Sequence, residues 1–272
     1  MSAIKEKSLK TRGGSLSYYL TEKTKTDLPR SSDITILFIH GLGQNKRWLL
    51  GQYEDFDLAQ YRWLVPDLMG YGTSSKPRDF QAYRMDQQAA NLERLLLREN
   101  VDISKLVIMA HSMGGPIAVS LLELLLYRSF PGIPLLLLYV EGNLDYNDAF
   151  VSSKIAKYTL SEFEVGFNDF LKKYPPLDPA NMQVVGPFVL WASSRDLASV
   201  SKEGTLFSRI QATKVRTVFV FGEKNRGRFT SEELVKESGL PLYYVPGTGH
   251  FMHLENPGTF WKTITEILTE LR

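Results

Sequence analysis

The sequence predicts an α/β fold: a mostly parallel, eight-stranded sheet with helices on both faces and a helical insertion after the sixth strand. Three observations lead there. Ile34 to Ile39, Trp63 to Val65, Leu106 to Met109, Leu135 to Val140, Val215 to Phe221 and Leu242 to Val245 are short apolar runs without alternation, the pattern of strands buried on both faces. Helical stretches separate most of them, which is the rhythm of a parallel sheet. The stretch 143–212, roughly 70 residues long, carries no strong strand and breaks that rhythm.

Each element has its own signal. Lys5 to Thr11 and Ser15 to Thr21 flank Gly13-Gly14 and read as an antiparallel hairpin at the sheet edge. Met85, Ala89, Leu92 and Leu96 recur at spacings of four and three, one face of a helix that packs on the sheet. Gly114 to Tyr127 is apolar nearly all round, so a central helix covered on both sides is expected. In the insertion, Lys172-Lys173-Tyr174-Pro175-Pro176 and Asp178-Pro179 supply breaks between short helices. Asn256 is placed to cap a last helix that begins at Pro257 and buries Phe260, Ile264, Ile267, Leu268 and Leu271. The expected organisation is a core of residues 1–142 and 213–272 with a cap, or lid, of residues 143–212.

Composition narrows the chemistry. Among 272 residues, Lys and Arg total 32 against 30 Asp and Glu, a formal net charge of +2. So balanced a chain exerts no strong field on nucleic acid or an anionic membrane, and a small-molecule substrate is the expected partner. There is no cysteine, which excludes disulfides, thiolate metal sites and cysteine nucleophiles together. Met1 to Thr11 is polar, without an apolar h-region, so a cytoplasmic protein is expected. The longest apolar runs fall far short of the roughly 20 residues of a membrane span, so no stable membrane insertion is expected.

Chemistry concentrates at the strand ends. Leu106 to Ala110 is an apolar strand, Gly114 opens a helix, and His111-Ser112-Met113 stands between them. A serine on so tight a strand-to-helix turn is pushed out above the sheet, with small residues at Ala110 and Gly114 letting strand and helix pass closely. His111-Ser112-Met113-Gly114-Gly115 resembles the nucleophile elbow of α/β-hydrolase lipases and esterases, with Ala110 in place of the usual first glycine. The α/β-hydrolase fold is what that resemblance implies for the whole chain outside the insertion. It also implies Ser112 as nucleophile.

Two further segments resemble the same family. His40-Gly41-Leu42-Gly43, after Ile34 to Ile39, is similar to its oxyanion loop, and the resemblance assigns the oxyanion hole to the backbone N–H groups of Leu42 and Met113. Pro246-Gly247-Thr248-Gly249-His250 is similar to its histidine loop and implies His250 as general base. Asp67, His111 and His253 are expected to be structural: Asp67 caps a turn, His111 points away on a sharp turn, and His253 packs near the helix cap. The elbow serine excludes the aspartate nucleophile of related dehalogenases and epoxide hydrolases.

The acid departs from the commonest family pattern, which puts an Asp shortly after the penultimate strand. Here that loop reads Phe221-Gly222-Glu223-Lys224-Asn225, with an amide at the expected position. Leu135 to Val140 instead ends in Glu141, a carboxylate at the C-terminal sheet edge, where some branches of the family carry their acid. Glu141 is therefore expected to complete the triad, with Glu223 the weaker candidate and a structural Glu141 that caps the insertion the competing reading. The expected activity is a carboxylesterase-like hydrolysis of a small or medium ester through an acyl-enzyme, without cofactor or metal. Other serine-dependent chemistry, such as carbon–carbon or amide cleavage or perhydrolysis, and a non-catalytic receptor on the same fold are the alternatives. Phe163, Phe167, Phe170, Tyr174, Phe188 and Trp191 either line an acyl pocket or form the insertion's own core.

Overall fold

The computed structural model describes residues 4–21, 34–49, 52–53, 55–56, 58–128, 130–174 and 184–270. Eight strands form one sheet: β1 (Ile4–Thr11), β2 (Gly14–Thr21), β3 (Thr35–Ile39), β4 (Arg62–Pro66), β5 (Leu106–His111), β6 (Leu136–Val140), β7 (Thr217–Gly222) and β8 (Leu242–Val245), in the order β1-β2-β4-β3-β5-β6-β7-β8. β1 and β2 form the expected edge hairpin, β2 joins β4 antiparallel, and the other pairings are parallel.

The apolar runs became strands because both of their faces are covered. Every residue of β3, β5, β6 and β7 is buried. Alternate side chains enter two separate cores: Leu37 and Ile39 pack into one, Ile36 and Phe38 into the other. The first core is closed by α1 (Met85–Arg98) and α2 (Gly114–Tyr127), the second by a C-terminal helix, Pro257–Thr269. Leucine truncations in cores of this kind cost about 2–5 kcal/mol. α2 is buried from Gly114 through Leu122, but its last turn departs from expectation, because Tyr127 faces solvent.

Between β6 and β7 the chain forms α3 (Ser152–Ile155), α4 (Leu160–Lys173), α5 (Pro187–Lys202) and α6 (Leu206–Thr213). Local chemistry sets their ends. Thr159 and Glu162 make a reciprocal capping box on α4, whose last turn carries Lys172 and Lys173, and Pro187 opens α5 at a position where no N–H is needed. The breaks expected at Pro175, Pro176, Asp178 and Pro179 lie outside the described residues, as does Leu271. α7 (Thr230–Ser238), α8 (Met252–Glu255) and α9 (Pro257–Thr269) complete the chain, and the Asn256 side chain caps α9 by accepting from Thr259 N–H. Among the described residues no helix is long and apolar enough to cross a membrane.

The strand order decides where the chemistry gathers. β5, β6, β7 and β8 are consecutive neighbours and parallel, so the loops leaving their C-terminal ends lie side by side. Ser112, Glu141, Asn225 and His250 occur in those four loops, one in each.

Candidate active site

The turn after β5 is strained. Ser112 has φ of 53°, in the left-handed region, and Glu141, immediately after β6, has φ of 40°. Only four described non-glycine residues have positive φ, and each such conformation costs roughly 1–3 kcal/mol and persists only where its surroundings fix it. Here they do: Ser112 N–H donates to Val140 C=O at 3.1 Å, Gly115 N–H donates to Ser112 C=O at 2.8 Å, and Glu141 N–H donates to Val220 C=O at 2.9 Å. The strand-to-helix crossing leaves no room at Gly114, where a Cβ would lie 2.3 Å from Ile39 C=O. Glycine there is a packing requirement.

Glu141 is buried, with its side chain 2% exposed, and among the described residues its carboxylate meets Gly222, Asn225 and His250 rather than the inserted helices. Its Oε2 lies 2.7 Å from His250 Nδ1, and its Oε1 accepts from Gly222 N–H at 2.7 Å. The Asn225 amide contacts both carboxylate oxygens at 2.9 Å. A carboxylate can only accept, so His250 carries its proton on Nδ1 and leaves Nε2 free to receive one. Gly222 permits the close approach of these loops, since a Cβ there would lie 2.2 Å from Gly249 C=O. Glu223 is directed elsewhere: its exposed carboxylate accepts from Gly247 N–H at 2.9 Å.

Ser112 and His250 line one cavity of about 200 Å³, walled by Leu42, Phe150, Val151 and Tyr174 among others. Their side chains share no direct hydrogen bond. Neither Leu42 N–H nor Met113 N–H donates to an acceptor among the described residues. Of the inserted aromatics, Phe167 and Phe170 each meet Phe163 edge to face, Phe188 packs on Tyr83, and Trp191 Nε1–H donates to Tyr158 C=O. Tyr174 alone of the six lines the cavity.

The other three histidines are buried and surround the same end of the sheet. Burial pushes His253 down to about 3, helped by the nearby His250, and holds His111 and His40 below the usual imidazole range. They are therefore neutral at pH 7. His40 accepts from Leu68 N–H on Nε2 and so donates from Nδ1 to Gly41 C=O. Gln44, which sequence reasoning missed, links the rest: its Oε1 accepts from Gly41 N–H at 2.8 Å, and its amide nitrogen lies 2.9 Å from His253 Nε2. His111 lies between Gln44 Oε1 (2.9 Å) and His250 C=O (2.8 Å), two acceptors for a ring whose neutral form has one N–H. Asp67 accepts from Lys46 N–H and Nζ and from Thr73 N–H, closing the neighbouring loop as a buried ion pair.

The chain matches the profile of the alpha/beta hydrolase family over residues 36–263. Lipase 3 of Moraxella sp. is 34% identical over 119 residues, 44% of this chain and 35% of that protein. Lipase 1 of Psychrobacter immobilis is 36% identical over 90 residues, 31% of this chain and 26% of that protein. The chain thus spans about a third or less of the length of these lipases. A putative 2-succinyl-6-hydroxy-2,4-cyclohexadiene-1-carboxylate synthase of Bacillus subtilis is 22% identical over 89% of this chain and 93% of its own. Among solved structures, an esterase from Exiguobacterium antarcticum superimposes with a TM-score of 0.71 at 16% identity, covering 99% of this chain and all of its own, a likeness of fold. An N-acyl homoserine lactonase in complex with N-butanoyl homoserine gives 0.73 at 16% identity, covering 98% of this chain and 97% of its own. With its eight-stranded sheet, strained serine turn and matched profile, the chain belongs to the alpha/beta hydrolase family.

Proposed function

We propose that the protein is a serine hydrolase that cleaves a small or medium carboxylic ester through an acyl-enzyme on Ser112. Ser112 Oγ attacks the ester carbonyl while His250 Nε2 takes its proton, and Glu141 stabilises the imidazolium through Nδ1–H. The tetrahedral oxyanion binds Leu42 N–H and Met113 N–H, each such donor being worth about 2.7–4 kcal/mol. The alcohol leaves with the proton from His250, and water repeats the sequence to release the acid. Residues 143–212 act as the cap that walls the cavity. The observation that carries this reading is the 2.7 Å contact of His250 with Glu141, which fixes the base's tautomer in the cavity that also holds Ser112.

The two lipase relatives support ester cleavage as the reaction. The 2.7 Å contact of Glu141 with His250 supports catalysis over a non-catalytic receptor. The synthase relative, aligned over 89% of the chain, favours a second reading, serine-dependent chemistry other than ester hydrolysis. A fluorophosphonate probe followed by peptide mapping, with a panel of p-nitrophenyl esters, tests both. Labelling at Ser112 with ester turnover lost in Ser112→Ala is expected. Labelling without turnover selects the second reading, and no labelling of the folded protein ends the nucleophile assignment.

A further inference from the structure

Resting on the reading of Glu141 as the acid, we propose that Asn225 is a positioning residue, an amide clamp that fixes the Glu141 carboxylate against His250. Asn225 is buried, and one side-chain nitrogen lies 2.9 Å from both Glu141 oxygens. Only the NH2 end of the amide can face two carboxylate oxygens, so the orientation follows from chemistry. Glu141 enters the site on a flexible three-torsion side chain from a strained backbone position. One contact to His250 does not hold such a carboxylate in plane; Gly222 N–H on one oxygen and the bridging amide across both do.

The clamp is itself anchored to the histidine loop. Asn225 ends the turn Glu223–Asn225, whose Lys224 N–H donates to Thr248 C=O at 2.9 Å, and Arg228 N–H donates to Asn225 C=O at 3.0 Å. The β7 loop that carries the amide therefore follows the loop that carries His250. The residue in the seat of the commonest family acid serves the acid from the neighbouring strand.

A carboxylate in this seat would be a different object. It would turn both 2.9 Å contacts from donor to acceptor and set two negative groups together. The titratable groups around the pair are His250, Asp148, which shares a small cavity with Glu141 and His250, and His111, whose ring centroid lies 4.8 Å from that of His250. None of them offers a replacement donor to Glu141.

The test compares Asn225→Ala, Asn225→Asp and wild type with p-nitrophenyl butyrate from pH 6 to 9, thermal melting reporting the fold. Loss of hydrogen bonds to a charged group predicts a kcat about 10- to 100-fold lower in Asn225→Ala with KM little changed. Asn225→Asp, although isosteric, falls further at pH 8 and recovers relative to wild type towards pH 6, where the introduced carboxyl regains a proton and donates. A merely structural polar residue would give the reverse order, the isosteric variant being the milder. The downfield Nδ1–H resonance of His250 gives a readout without substrate: sharp in wild type, broadened in Asn225→Ala, absent in Glu141→Gln. Asn225→Asp as fast as wild type, or an unchanged resonance in folded Asn225→Ala, overturns the clamp. Wild type with the resonance but no Ser112-dependent turnover overturns the ester reading and leaves the clamp standing.

Discussion

Glu141→Gln is the substitution that the geometry judges most sharply, because every group that touches the Glu141 carboxylate is a donor. Gly222 N–H and His250 Nδ1–H approach opposite oxygens at 2.7 Å, and Asn225 bridges both at 2.9 Å. Glutamine has one acceptor oxygen and one NH2 group, so either orientation sets a donor against a donor. With the oxygen towards Gly222, the NH2 faces His250, which must present a lone pair on Nδ1 and carry its proton on Nε2. That tautomer cannot accept the Ser112 proton. With the oxygen towards His250, Gly222 N–H is left buried without an acceptor, at about 1–3 kcal/mol, and the imidazolium loses its counter-charge. In a serine protease the equivalent change of acid to amide lowers kcat about 10⁴-fold, or roughly 5.5 kcal/mol of barrier. We therefore expect kcat on p-nitrophenyl butyrate to fall by three to four orders of magnitude, roughly 4 to 5.5 kcal/mol, and the melting temperature to drop by only a few degrees. A folded variant within about tenfold of wild type would refute the assignment, since no orientation of the amide satisfies all three partners.

Two further outcomes follow from the cavity and its rim. Its volume of about 200 Å³ is small beside the roughly 300–1,000 Å³ of sites for larger ligands, so rates across a p-nitrophenyl ester series should peak at short or medium acyl chains; faster turnover of emulsified long-chain triglyceride would contradict this. Asp148 lines the same cavity, and burial pushes its carboxyl up from 3.8 to about 6 against the pull of Leu144 N–H and the Ser231 hydroxyl. The native state then holds a proton that the unfolded chain has lost between about pH 4 and 6, so stability declines as pH rises through that window, by up to about 3 kcal/mol, and is flat above it. Asp148→Asn keeps the acceptor for Leu144 N–H and Asp145 N–H and should abolish that slope in melting experiments; an equal slope in both proteins would show that Asp148 is not its source.

Much of the sheet is legible in the sequence because its strands are buried on both faces, which leaves no polar alternation and makes runs such as Leu135 to Val140 stand out. Boundaries shifted where that signal fades: Val215 reads as strand by composition, yet pairing begins at Thr217. The insertion was legible as a helical break, and the edge-to-face contacts of Phe163 with Phe167 and Phe170 follow their spacing along α4, but whether that face lines the cavity depends on how the helix packs on the rest of the chain, which spacing does not encode. In the site, the elbow could be read from local chemistry, because a strained turn demands small neighbours. The partner of Asn225 could not. The residues that meet at Glu141 lie up to 109 positions apart, and only the order β5-β6-β7-β8 brings them together. An amide in an acid's seat reads as a loss until the sheet supplies the carboxylate beside it.

The same logic explains why three buried histidines and a glutamine stand around Ser112 and His250. Strain at Ser112 has to be held by its surroundings, and backbone contacts of the elbow alone do not fix the loops on either side. Gln44 accepts from Gly41 N–H, meets His111 beside Ser112 and reaches His253, while His111 in turn meets the carbonyl of His250. The loops that carry Gly41, Ser112 and His250 thus share one buried network. Burial keeps His111 and His253 neutral, so the network places no cation beside His250. Beside it, the donors Gly222 N–H, Asn225 NH2 and His250 Nδ1–H hold the Glu141 carboxylate in one geometry.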